Sequence, residues 1–158
     1  MIFVCIGSRD YQFDRLLKAL DELVAAGELT EEIFAQIGQS RYVPKHYAFQ
    51  RYLDRDTFAA YQQKAELIIS HAGVGTLLSA LKMGKSVIAV PRYEKFGEHI
   101  DDHQTQIAEV LSAEGYLYQV RDIADLGKTI ALARENPRNR VYDRPSDIAT
   151  RIKEFIGE

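Results

Sequence analysis

The stretch Ser70-His71-Ala72-Gly73-Val74-Gly75-Thr76 carries the strongest chemical signal in the chain. It follows the apolar run Leu67-Ile68-Ile69 and precedes residues with helical spacing, so it is a strand-to-helix connection. Two glycines let a ligand approach the backbone. The free amides and positive end of the following helix favour an anionic group such as a diphosphate. A tight turn accounts for the same glycines without any ligand. The usual dinucleotide fingerprint is incomplete, since Leu78 stands where a third glycine is expected, and no Gly-Lys-Ser/Thr loop is present.

A second dense segment runs from Pro91 through Arg92, Lys95, Glu98, His99, Asp101, Asp102 and His103 to Gln104. Donors and acceptors this close in one loop suit a hydroxylated ligand, and Asp101 and Asp102 equally suit simple capping of the helix that follows. His99 and His103 are four apart, as on zinc-binding helices, but Ile100 replaces the glutamate of a metalloprotease motif, so no metal site is expected. Cys5 lies inside an apolar run and reads as a small buried hydrophobe. Ser70 lacks the Gly-x-Ser-x-Gly elbow of a nucleophile. Arg134, Arg138, Arg140 and Arg144 form a basic cluster, either solvated surface or a contact for an acidic partner or anionic headgroups.

The elements that must position these residues alternate between strand and helix. Ile2 to Ile6 reads as a strand buried on both faces and ending at Gly7 and Ser8. A helix follows, with Phe13, Leu16, Leu17, Leu20, Leu23 and Val24 on one face, Asp10 as its cap and Gly27 as its stop. Ile33 to Gly38 is a second strand, and Tyr42 to Leu53 predicts a loop with a short strand. A helix at about Thr57 to Lys64 leads to the strand Leu67 to Ser70. Val74 to Met83 is a helix, Val87 to Val90 a strand, and Ile100, Ile107, Val110 and Leu111 share a helical face. Tyr116 to Val120 is a strand, Asp122 begins a helix to about Arg134, and Glu135 to Pro145 reads as an exposed connection. Ser146 caps a last helix with the stripe Ile148, Ile152, Phe155 and Ile156.

This alternation predicts an α/β fold, a single Rossmann-like, doubly wound, mostly parallel sheet. Ligands of such sheets sit beyond the carboxyl ends of the strands. Four places follow: Gly7 to Asp10, Gly38 to Arg41, His71 to Thr76 and Pro91 to Gln104. The 158 residues suit one domain, 1–158. A net charge of −3 gives no field for wrapping a nucleic acid, and the single cysteine excludes an intrachain disulfide framework. No apolar run approaches a membrane span and the N-terminus has no signal-peptide pattern, so the expected setting is cytoplasmic.

Taken together, Ile69 to Thr76, Gly84 to Arg92 and Gly97 to Gln104 resemble the donor-binding half of GT-B glycosyltransferases, the family 28 C-terminal domain, with Val4 to Ser8 a weaker match. The likeness covers nearly the whole chain. It extends to stand-alone donor subunits of two-component β-1,4-glycosyltransferases in capsule, exopolysaccharide and dolichol-linked oligosaccharide synthesis.

The resemblance implies a UDP-sugar donor, with Gly7, Ser8, His71, Gly73, Gly75, Thr76 and Ser79 around nucleotide and diphosphate. It puts His99, Asp102, His103 and Gln104 around the sugar. Ser79 stands where relatives place a carboxylate for the ribose. Pro91-Arg92 and Gly97-Glu98-His99 look most like the bacterial polysaccharide members, which implies a hexose or uronic acid donor with Arg92 or Lys95 near a uronate. The resemblance further implies an inverting transfer without metal or other cofactor, to a lipid-linked saccharide. It implies a membrane-anchored, acceptor-binding partner subunit, with 146–158 at that interface and the chain peripheral to the inner membrane face through it. The base is expected in the partner, and His99 or, after it, His71 are the candidates within this chain. A non-enzymatic nucleotide-binding regulatory or scaffold module is the alternative, because the residues themselves identify no base. The incomplete fingerprint argues against an NAD-dependent oxidoreductase.

Overall fold

Strands β1 (Ile2–Cys5), β2 (Ile33–Gln36), β3 (Ala48–Gln50), β4 (Leu67–Ser70), β5 (Ser86–Ala89) and β6 (Tyr118–Gln119) form one parallel sheet in the order β3-β2-β1-β4-β5-β6. The computed structural model describes residues 1–7, 11–98 and 103–142. Helices α1 (Asp14–Ala25), α2 (Arg55–Lys64), α3 (Val74–Lys82) and α4 (His103–Ala113) lie in the crossovers, and α5 (Leu126–Glu135) follows the last strand. The expected Rossmann-like α/β fold is the one observed.

Alternation along the central strands explains why their sequences are apolar throughout. Ile2, Val4, Ile6, Ile69 and Ile88 pack on the side of α1 and α5, while Phe3, Cys5, Ile68, Val87 and Ala89 pack on the side of α2, α3 and α4. Each fully buried aliphatic side chain contributes about 1.5–3 kcal/mol of transfer free energy. Phe34, Tyr61 and Phe3 stack on the second side, with 4.1 Å between the Phe34 and Tyr61 centroids.

One local expectation changes and two gain detail. Asp10 lies outside the described residues, and α1 starts at Asp14 with Phe13 at the capping position and no side-chain cap of its own. Neighbours supply the acceptors: Ser40 Oγ for the Phe13 amide at 2.9 Å and Gln12 Oε1 for the Asp14 amide at 2.7 Å. The Tyr-rich stretch before β3 is held by buried Asp21, which accepts hydrogen bonds from the Tyr42 hydroxyl and the Lys45 and His46 amides.

The described part of the connection after α5 is mostly exposed, as expected, yet it is strapped to the body at its far end. Tyr142 is fully buried against Tyr116, and its amide donates to the Leu81 carbonyl. Arg138 donates to the Ser112 and Leu117 carbonyls and lies 4.2 Å from the Tyr118 centroid. Arg140 donates to the Glu114 carbonyl and lies over Tyr116, and Arg134 pairs with Glu31 at 2.6 Å. Three arginines of the basic cluster thus serve the chain's own body; Arg144 and the helix expected at 146–158 lie outside the described residues. Among the described residues, no helix is long and apolar enough to cross a membrane.

Candidate functional site

The strand order reverses between β1 and β4, so the crevice of an open α/β sheet falls where these two strands end. Cys5 and Ser70 are register partners there, and the chain leaves them through Gly7 and His71. The Cys5 carbonyl accepts from the His71 amide at 3.2 Å and contacts imidazole Nδ1 at 3.3 Å. A carbonyl only accepts, so this contact favours the tautomer with hydrogen on Nδ1 and directs Nε2 toward the glycines.

At both glycines a side chain would meet this ring. A Cβ added at Gly7 would stand 2.9 Å from His71 Nε2, and one at Gly73 would stand 2.3 Å from it. Gly7 also takes a φ of +80°, while Ala72 takes +69°, a left-handed conformation costing a non-glycine residue about 1–2 kcal/mol. That turn drives the chain from β4 straight into α3. Gly73 occupies the N-cap of α3 without a side-chain cap, Gly75 has open space where its Cβ would be, and Thr76 is half-buried. The first amides of α3 are therefore presented beside Gly7 with room for an oxyanion. His71, Gly7, Gly73, Gly75 and Thr76 come together as the sequence suggested. Ser79 sits one turn further along α3, exposed, its hydroxyl donating to Gln62 Oε1 of α2 at 3.3 Å. Ser8 lies outside the described residues.

The segment after β5 is anchored from α1. Glu98 is fully buried and takes a two-pronged ion pair from Arg15, Nε to Oε2 at 2.9 Å and an Nη2 contact to Oε1 at 3.0 Å. Glu98 Oε1 also accepts from the Tyr93 amide at 3.1 Å. Arg15 lies over the rings of Phe13, Tyr93 and Phe96, and Gln12 Nε2 donates to the Phe96 carbonyl at 3.0 Å. Sequence reasoning missed this pair, whose members are 83 positions apart and leave no local pattern.

Arg92 is corrected as a uronate contact. Its guanidinium is fully buried, donates to the Ile6 carbonyl and lies 5.4 Å from the Phe13 centroid, so it supports the floor beneath Gly7. Lys95 remains exposed over Tyr93 and Phe96. His103 and Gln104 open α4, which places their backbone beyond β5 on the same rim; His99 and Asp102 lie outside the described residues.

No group of three or more His, Cys, Asp or Glu side chains suited to a metal occurs among the described residues. Burial pushes the Cys5 thiol up to about 12, so it stays protonated at neutral pH and is a poor nucleophile. Its reading as a small buried hydrophobe stands.

Known proteins resemble this chain in sequence and in fold. The chain is 33% identical over 126 residues to the human UDP-N-acetylglucosamine transferase subunit ALG13, covering 74% of this chain and 11% of that protein. It therefore spans only about a tenth of that relative's length. The solution structure of ALG13 superposes with a TM-score of 0.64 at 16% identity, covering 98% of this chain and 96% of that one. The UDP-GlcNAc 2-epimerase from Neisseria meningitidis bound to UDP-GlcNAc also reaches a TM-score of 0.64, at 12% identity, covering 99% of this chain and 43% of that one. The second likeness shows that the fold alone does not choose a reaction. The family model of the glycosyltransferase family 28 C-terminal domain matches residues 1–156, and the chain belongs to that family.

Proposed function

We propose that the chain is the donor-binding subunit of a two-component inverting glycosyltransferase, passing a hexose or uronic acid from a UDP-sugar to a lipid-linked saccharide in polysaccharide synthesis. The observation that carries this reading is the crevice between Gly7 and the start of α3, where uncapped amides and the His71 ring converge at the strand-order reversal. In this reading Gly7, Ser8, His71, Gly73, Gly75 and Thr76 hold the diphosphate, and Ser79 gives the ribose a neutral contact. His99, Asp102, His103 and Gln104 meet the sugar. The domain comprises 1–158, with 146–158 on the partner.

Backbone amides and the α3 dipole stabilise the departing diphosphate, where negative charge grows as the sugar leaves. A base removes the acceptor hydroxyl proton. His71 turns one nitrogen to the Cys5 carbonyl and the other between two glycines, and His99 lies outside the described residues. In this reading the base comes from a membrane-anchored partner that also binds the acceptor, and the chain works in the cytoplasm at the inner membrane face through that partner. With Arg92 buried, a uronate would find Lys95 as its cation, and UDP-hexoses need none.

Calorimetry of the isolated chain with UDP, UDP-galactose, UDP-glucuronate and UDP-GlcNAc tests the donor assignment. UDP binding with a preference for one sugar supports it. No heat with any of the four refutes it. Tighter binding of UDP-GlcNAc, the donor for which the human relative is named, would replace the hexose or uronate assignment.

A further inference from the structure

A second recess opens on the same rim. It has a volume of about 430 Å³ and is lined by Tyr11, Gln12, Asp14, Gln39, Arg41 and Gly97, from the connections that leave β1, β2 and β5. Its walls are tied together by hydrogen bonds. Gln12 Nε2 donates to the Phe96 carbonyl at 3.0 Å and the Gly97 carbonyl at 3.4 Å, and its Oε1 accepts from the Asp14 amide. Asp14 Oδ1 in turn accepts from the Arg41 amide at 2.8 Å and the Tyr42 amide at 2.9 Å. Gln39 Nε2 donates to the Tyr52 hydroxyl at 2.5 Å.

These bonds leave three groups on the lining without a partner among the described residues: the Arg41 guanidinium, Gln39 Oε1 and the second oxygen of Asp14. Among the described lining residues one cation and one anion cancel, leaving no net charge with which to select a phosphate. Planar donors and acceptors beside a tyrosine ring instead match the hydroxyls and apolar face of a sugar. Its volume lies within the range of small-molecule pockets, about 300–1,000 Å³. Gly97, one of its walls, stands two residues before His99 and so borders the stretch assigned to the donor sugar.

We infer that this recess is a subsite for a neutral saccharide and holds a sugar unit of the acceptor, so that this chain shares in acceptor recognition. The inference rests on the donor reading for the identity of its ligand as acceptor.

The test is amide-resolved NMR of the isotope-labelled chain, with and without saturating UDP. Methyl β-galactoside, methyl β-glucoside, N-acetylglucosamine and, separately, inorganic phosphate are titrated in. A saccharide should move the Gln39, Arg41 and Gly97 amides. Arg41→Ala and Gln39→Ala, both at exposed positions, should each weaken that binding about three- to tenfold, as for one hydrogen bond, with UDP affinity unchanged. Saccharides that leave these amides unmoved, movement by phosphate alone, or variants that bind the saccharide as well as the parent would each overturn the inference. If UDP moves nothing at 71–76, the donor reading falls, while the saccharide arm on the free chain still decides the recess.

Discussion

Replacing Arg15 by Met leaves Glu98 as a buried carboxylate with only the Tyr93 amide among its described polar contacts. The side chains in this pair are 16% and 1% exposed, so solvent screens the loss little. Removing one partner of such a pair costs about 3–5 kcal/mol, since the remaining charge has no counterpart. For a domain of this size each kcal/mol is about 2–4 °C, so Arg15→Met should melt about 6–20 °C below the parent. The double variant Arg15→Met with Glu98→Leu removes both charges and should recover most of that loss. Thermal unfolding followed by circular dichroism reads the stabilities, and calorimetry with UDP and the preferred UDP-sugar reads the site. Because the pair anchors the segment that leads to His99, the double variant should bind UDP normally and the UDP-sugar more weakly than the parent does. A single variant that melts within about 2 °C of the parent would refute the energetic argument, as would a double variant no more stable than the singles. Unchanged sugar discrimination in the recovered double variant would show that the pair stabilises the fold without positioning the sugar side.

Three further outcomes follow from the geometry. Gly73→Val drives a side chain into the His71 ring, 2.3 Å from the position of the new Cβ, and should abolish UDP binding in calorimetry. Gly73→Ala with His71→Ala relieves the clash, so recovered melting without recovered UDP affinity is expected. Gln104→Ala should weaken the UDP-sugar more than UDP, and equal losses would remove Gln104 from the sugar side. Cys5, with its thiol raised by burial from 9.0 to about 12, should resist a thiol reagent at pH 8 until the chain unfolds. The unfolded thiol ionises first, so the advantage of burying it protonated is whole below pH 9. It is lost as pH rises toward 12, which stability measured across that range for Cys5→Ala and the parent will show.

Residues that act locally were legible in the sequence. Ile2 to Ile6 and Leu67 to Ser70 read as strands because both faces of the inner strands are covered, and Gly27 read as a helix stop because its φ of +76° is one that glycine readily adopts. The two glycines after β4 were also legible as a close approach. What they approach was not, because the His71 ring packs against both glycines only once the Cys5 carbonyl has oriented it. Long-range pairings were hidden for the same reason. Ser40 completing α1, Asp21 gathering the Tyr-rich stretch and Arg138 resting on Tyr118 all depend on residues far away in sequence. Polarity and two prolines made Glu135 to Pro145 read as exposed, which most of its described residues are, but not that Arg138 and Arg140 carry their guanidinium groups to the Ser112, Leu117 and Glu114 carbonyls.

The segment that links β1 to α1 joins these parts into one body. Gly7 lies against the His71 ring, the Ile6 carbonyl accepts from Arg92, Gln12 holds the Phe96 and Gly97 carbonyls, and Arg15 holds Glu98. The crevice at α3 and the segment that leads to His99 therefore rest on a common support. In the proposed reading this common support would hold the diphosphate site and the sugar side in one geometry for presenting a donor. The acceptor hydroxyl must then be brought to the donor, and the neutral recess across Gly97 lies on the rim from which it would come. In the proposed reading such a domain orients the donor, and the transfer waits for a base that the partner brings.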